Sequence, residues 1–369
     1  MNPLRQLREL GQSVWLDYIR RDLLTSGQFK RLVAEDGVSG VTSNPSIFAK
    51  AISQDREYDE VIQKILRRTP DLETPALFEQ IEIEDLQMAA DVLRPTYEGT
   101  AGNDGFVSIE VSPLLAYDTH ASIMEAHRLW RQVNRPNLMV KIPATAEGLP
   151  AIEELTAAGV NVNVTLMFSV SQYEDVARAY LRGAERNRKP QNVTSVASFF
   201  VSRVDTAVDR ALEEVGTPEA LALRGRAGIA NARLAYRRFR QLFEGPEFAQ
   251  AKSRRVRVQK PLWASTSTKN KAYSGVMYIE GLIGPNTINS MPPETLDAFR
   301  DHGHVEVTLE RDELEAEEVV GKLLAMDINL KSIGQELTDK GVEKFDKSYG
   351  ELLQALDKKR AALATDRAA

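Results

Sequence analysis

Leu138-Met139-Val140-Lys141-Ile142-Pro143 decides how this chain is read. Leucine, methionine, valine and isoleucine make a strand suited to burial on both faces, and one lysine stands among them. A lysine carried into such a strand loses its hydration. Desolvation disfavours the ammonium form and leaves an amine that is a usable nucleophile near neutral pH. Such a residue is either half of a buried ion pair or a Schiff-base nucleophile, and its neighbours decide between the two.

Working outward, short apolar runs alternate with longer helical stretches, the pattern of βα units around a parallel sheet. The strand holding Lys141 is the fourth of eight. Before it come Ser13–Asp17, Gly40–Ser43 and Phe106–Val111. After it come Val160–Leu166, Val193–Ser198 running into Phe199-Phe200, Pro261–Ser265 and Thr287–Ser290. Eight strands in strict alternation with helices predict an α/β fold, a (β/α)8 TIM barrel, as one domain over residues 1–369. Two stretches exceed a minimal barrel. Residues 212–257 form an arginine-rich helical insertion between strands six and seven, where Arg237, Arg238 and Arg240 read as the solvated face of an amphipathic helix. Residues 305–369 form a charged C-terminal helical segment with Leu352, Leu353 and Leu356 as its buried stripe and a frayed end at Asp366–Ala369.

Composition narrows the function. A net charge of −6 argues against general nucleic-acid binding. The absence of cysteine excludes disulfides, thiolate metal sites and a cysteine nucleophile. Four scattered histidines make no metal site, and His302-Gly303-His304 reads as a surface turn. No stretch approaches the ~20 apolar residues of a membrane span, and the N-terminus lacks the apolar core of a signal peptide, so a cytoplasmic protein is expected. The loop Tyr97–Gly105 lacks the glycine spacings of nucleotide-binding motifs and reads as a turn entering a strand.

Side chains alternate along a strand, so every second one in a barrel points to the axis. Ser108 and Glu110 share one face, as do Met139 and Lys141, and Asn161, Asn163 and Thr165. Asp17 closes strand one, Asn44 follows strand two and Ser198 closes strand six. Burying polar groups is costly, and a purely structural barrel would use valine, isoleucine and leucine here. The set therefore reads as an active-site mouth, with Asn161 alone assigned to a satisfied core hydrogen bond. A lysine amine needs an acid and base to form and dehydrate a carbinolamine. Glu110 is one strand away, and Thr165, on the other side, is placed to hold a water. Asp17 is placed to take a proton from a substrate hydroxyl. Two carboxylates flanking an amine suit carbon–carbon cleavage through an enamine. Ser265-Thr266-Ser267-Thr268-Lys269-Asn270 after strand seven, with Arg203 past strand six, matches the usual barrel phosphate site.

These residues resemble the transaldolase family of Schiff-base sugar-phosphate transferases. The matching segments are Thr42–Ser46, Val107–Val111, Met139–Thr145, Asn161–Ser169 and Ser198–Arg203, in order within about residues 10 to 300. The chain looks like the longer type of cyanobacteria, actinobacteria and plants, without the isomerase domain that some relatives carry fused. The resemblance implies Lys141 as the Schiff-base lysine, Asp17 and Glu110 as catalytic carboxylates and Thr165 as the water-holding threonine. It implies Asn44, Asn163 and Ser198 as contacts to a dihydroxyacetone unit, and Arg203, Ser267 and Lys269 as phosphate ligands. At Lys269 the better-known members have arginine, so a point charge replaces a planar fork.

The implied activity is transfer of dihydroxyacetone from sedoheptulose 7-phosphate or fructose 6-phosphate to glyceraldehyde 3-phosphate or erythrose 4-phosphate, in the non-oxidative pentose phosphate pathway. The protonated imine is the electron sink, so no metal or cofactor is expected. The expected partners are sugar phosphates, with no nucleic acid or membrane, and the protein is a monomer or homodimer. The nearest alternative is a fructose-6-phosphate aldolase-like enzyme releasing free dihydroxyacetone. Such relatives resemble this chain but carry glutamine at the Glu110 position and a tyrosine elsewhere in the site, so Glu110 with Phe200 favours transfer. A pyridoxal-phosphate barrel enzyme and a catalytically silent binding barrel are the remaining alternatives.

Overall fold

A computed structural model describes residues 2–54 and 56–365. All eight expected strands are present: β1 (Gln12–Asp17), β2 (Val38–Thr42), β3 (Phe106–Glu110), β4 (Leu138–Pro143), β5 (Val162–Met167), β6 (Ser195–Phe200), β7 (Lys260–Ala264) and β8 (Thr287–Met291). They pair in parallel in chain order, and β8 returns to β1, closing a barrel inside a ring of helices.

The barrel axis is filled in layers. Trp15, Phe106, Met139, Val196, Leu262 and Ile288 form one buried apolar cluster, each from a different strand. β2 contributes Gly40 to this level because the Trp15 indole occupies its side-chain space: a Cβ on Gly40 would lie 2.3 Å from the ring. Two residues further along each strand the same face carries Asp17, Thr42, Ser108, Lys141, Ser198, Ala264 and Ser290. The period of two thus turns an apolar plug into a polar layer at the C-terminal strand ends.

Between β6 and β7 lie the helices Ser202–Val215, Pro218–Leu221, Ala227–Phe243 and Ala249–Ser253. Helix Ala227–Phe243 buries Ala235, Tyr236, Phe239 and Leu242. Three of its arginines face outward into ion pairs, Arg237 with Glu317, Arg238 with Glu174 and Arg240 with Glu244. The expected solvated face is therefore correct.

After β8 come helices Pro293–His302, Glu313–Ala325 and Leu330–Thr365. The last buries Leu352 and Leu356 completely and Leu353 in part. The expected frayed segment Asp366–Ala369 lies outside the described residues. This C-terminal helix is seated on β5 by close contact. Leu166 is left-handed at φ 57°, a rare state for a leucine, where the β5–β6 register shifts between Val164 and Met167. Gly341 lies against it, since a Cβ there would come 2.8 Å from Leu166 Cδ2. One turn earlier Thr338 Oγ1 donates to the Leu166 carbonyl at 3.1 Å. Among the described residues, no helix is long and apolar enough to cross a membrane.

Candidate active site

The polar layer is wired from strand to strand. Ser198 Oγ donates to Asn163 Oδ1 at 2.7 Å, and Asn163 Nδ2 donates to Ser108 Oγ at 3.0 Å. Ser108, Asn163 and Ser198 thus satisfy one another, which offsets the cost of placing them in a barrel core. Asn161, one step deeper, is held by the Leu138 carbonyl and the Thr194 N–H, both at 2.9 Å. That is the structural role expected for it.

Glu110 and Lys141 are register partners on β3 and β4. Lys141 Nζ donates to Glu110 Oε2 at 2.9 Å and to the Ser43 carbonyl at 3.0 Å. Both side chains are more than nine-tenths buried. Burial pushes the Glu110 carboxyl up, while the charge and hydrogen bond of Lys141 pull it back. The pair can thus exchange one proton over a single hydrogen bond, as imine chemistry requires. Thr165 pairs with Pro143 at the upper end of β4. Its Oγ1 is buried and, among the described residues, has no hydrogen-bond partner. An unsatisfied hydroxyl facing the mouth beside an amine is suited to hold a reacting water.

On the other side, Thr42 Oγ1 donates to Asp17 Oδ1 at 2.7 Å and lies 2.8 Å from Ser290 Oγ. Burial raises the Asp17 carboxyl above its ordinary value, against the opposing effects of Thr42, Lys141, Arg203 and Lys269. A carboxylate so placed gains proton affinity and is suited to act as a base. Thr42 and Ser290 were not singled out in the sequence, although each stands two residues beyond an axis position.

The wider end of the mouth is basic. Arg203 lies over the Phe200 ring at 5.2 Å, which orients the guanidinium. Lys269 Nζ donates to Ser267 Oγ at 2.7 Å. Lys344, from the C-terminal helix, is the third cation. Burial, then Arg203 and Lys344, pulls Lys269 below the usual lysine range, and Arg203 does the same to Lys344. Among the described residues none of these three forms an ion pair. Three cations sharing one wall, with Asp17 and Glu294 near but in no salt bridge with them, leave an excess of positive charge suited to an anion. Phe345, the next residue on the helix, reaches 5.9 Å from Lys141 Nζ.

The mouth is a cavity of about 330 Å³ lined by Asp17, Asn44, Lys141, Thr165, Ser198, Arg203, Ser267 and Lys269 among others. That brings together eight of the ten residues singled out in the sequence. Asn44 lies at the start of the helix Pro45–Gln54, its side chain accepting from the N–H groups of Ser46 and Ile47. The other two do not line the mouth. Asn163 is fully buried behind Ser198, and Glu110 faces a second cavity behind Lys141. Sequence reasoning missed Lys344 and Phe345. Their signal lies in how a distant helix docks, which no local pattern carries.

The transaldolase/fructose-6-phosphate aldolase family model matches residues 14–356. The transaldolase of Thiobacillus denitrificans is 46% identical over 96% of this chain and 99% of its own length. That of Mycobacterium marinum is 47% identical over 98% and 99%, and that of Mycolicibacterium smegmatis 47% over 96% of both. Similarity of this extent and completeness, on a barrel with this mouth, leads to one conclusion: the chain belongs to the transaldolase/fructose-6-phosphate aldolase family.

Proposed function

We propose that the protein acts as a transaldolase, passing a dihydroxyacetone unit between sugar phosphates through an imine on Lys141. The observation that carries this reading is the buried Lys141–Glu110 pair at 2.9 Å, opening onto a mouth with a basic wall. Glu110 takes the lysine proton and the free amine attacks the C2 ketone of fructose 6-phosphate or sedoheptulose 7-phosphate. Water leaves the carbinolamine through Glu110 and a water held at Thr165. Asp17 then takes the C4 hydroxyl proton and the C3–C4 bond breaks, its electrons flowing into the protonated imine.

Ser198, oriented by Asn163, and Asn44 hold the three-carbon unit. Arg203, Ser267 and Lys269 take the phosphate, with Lys344 as an added cation. The aldose phosphate departs, and the enamine waits for glyceraldehyde 3-phosphate or erythrose 4-phosphate. The proposed setting is the non-oxidative pentose phosphate pathway in the cytoplasm, with the protein as a monomer or homodimer.

The test is a borohydride trap with fructose 6-phosphate followed by peptide mapping. A reduced dihydroxyacetone adduct on Lys141 is expected, and its absence from folded protein would overturn the reading. Assaying free dihydroxyacetone without an acceptor separates transfer from release; rapid accumulation would point to the aldolase.

A further inference from the structure

Behind Lys141 lies a second cavity, of about 370 Å³, which Glu110 shares with Glu79, Glu82, Glu125, Arg128 and Tyr349. The Lys141–Glu110 hydrogen bond therefore divides two spaces. Lys141 lines the substrate mouth, and Glu110 lines the rear cavity.

Most of the charge in this rear cavity is matched. Arg128, on helix Thr119–Val133, pairs with Glu79 and with Glu125. Glu82, on helix Thr74–Gly99, is different. The residue is nine-tenths buried, its carboxyl opens onto the cavity, and among the described residues no hydrogen bond or ion pair holds it. An unpaired buried carboxyl among other carboxyls keeps its proton. Burial pushes Glu82 up to about 8; Glu110, Glu79 and Asp85 act in the same sense, and Lys141 opposes them. The groups facing it are Glu110 on β3, Lys141 on β4, Glu79 and Asp85 on its own helix, Glu125 and Arg128 on helix Thr119–Val133, and Tyr349 on the C-terminal helix.

We infer that Glu82 is a positioning residue for the reaction at Lys141, a buried carboxylic acid that acts through Glu110 from the rear cavity and sets how readily Glu110 takes and returns the lysine proton. This rests on the reading of Lys141 and Glu110 given above. While Glu82 is neutral, Glu110 is the carboxylate in contact with the amine, and Glu79 and Glu125 are held against Arg128. When Glu82 loses its proton to solvent, a further negative charge without a cation of its own appears there. Protons are then held more tightly on the Lys141–Glu110 pair, which works against the free amine that must attack. Only an O–H bond is broken in this step, and the proton leaves through the rear cavity, which a sugar phosphate in the mouth does not block. The consequence is unusual for an amine nucleophile, whose reactivity ordinarily rises with pH.

The experiment compares kcat and KM for fructose 6-phosphate across pH 6–10 in the wild type, Glu82→Gln and Glu82→Asp, with borohydride trapping on each. The wild type is expected to lose kcat above about pH 8 through one ionisation, as a group of that acidity becomes charged. Glu82→Gln should lack that alkaline limb while KM stays within about twofold, and Glu82→Asp should restore a limb. A merely structural role would lower kcat at every pH without changing the profile. Should the glutamine variant fold poorly, Glu82→Met, of similar length and uncharged, gives the same readout. An alkaline limb that persists in the uncharged variants would overturn the inference. Failure of the wild type to be trapped at Lys141 would instead overturn the proposed function, so the two failures are distinct.

Discussion

Glu82→Gln also makes a quantitative statement about stability, independent of turnover. The carboxyl is raised from about 4.5 to about 8 in the folded protein. A carboxyl raised on folding binds its proton more tightly in the native state than in the unfolded one. Its contribution is therefore most favourable below pH 4.5 and is lost as pH climbs towards 8, the reverse of a salt-bridged carboxylate. Within that window the loss is about 1.4 kcal/mol per pH unit. Glutamine does not titrate and escapes it.

Between pH 6.0 and 7.5 the variant should thus gain about 2 kcal/mol on the wild type. With an unfolding entropy of roughly 2.1 cal/mol/K per residue, a chain of this length converts that gain to about 2–3 °C in Tm. Paired thermal melts by circular dichroism at several pH values read the difference directly. It should widen through the window and level off above about pH 8. A difference independent of pH would mean that Glu82 is already ionised in the native state, and the reasoning from its burial would be wrong.

Lys141→Ala should leave the melting curve cooperative and abolish both turnover and trapping; activity within tenfold of the wild type would remove Lys141 from the mechanism. Lys344→Ala should raise KM for phosphorylated substrates about tenfold, equivalent to roughly 1.4 kcal/mol of lost binding, with little effect on free dihydroxyacetone as donor; equal losses on both would show that Lys344 does not meet phosphate. Gly341→Val forces a branched side chain into the 2.8 Å approach to Leu166. It should cost about 1–3 kcal/mol and weaken phosphate-dependent catalysis together with stability. Unchanged kinetics would show that the helix's seating on β5 does not govern the mouth.

The parts of the molecule that local pattern could reveal are those governed by strand periodicity. All eight strands were legible because each is a short run rich in apolar or β-branched residues between longer helical stretches. The inward positions of Ser108, Lys141 and Thr165 followed from the same period. Asn163 was legible as inward, but its burial behind Ser198 was not, because depth depends on which neighbour stands in front. Thr42 and Ser290 obey the same period, and their hydroxyls join the Asp17 network through a hydrogen bond that only the closed barrel brings together. Glu82 sits on the helix Thr74–Gly99, where an acidic residue reads as surface; only packing against β3 and the C-terminal helix makes it buried. Lys344 and Phe345 lie more than two hundred residues from Lys141 in sequence, and their placement depends on Gly341 fitting a strained leucine.

That last dependence bears on the order in which the enzyme is made. Translation delivers the N-terminal part of a chain first, and domains fold as they emerge. The strands of the barrel are complete at Met291, whereas Lys344 and Phe345 follow on the final helix. A nascent barrel can therefore close around its apolar plug while its lysine still faces an uncovered mouth, without one of the three cations. Competence arrives only as the closing helix lies down on Leu166. Catalytic readiness thus becomes a late event in the life of each molecule, separate from the folding of the scaffold that bears it.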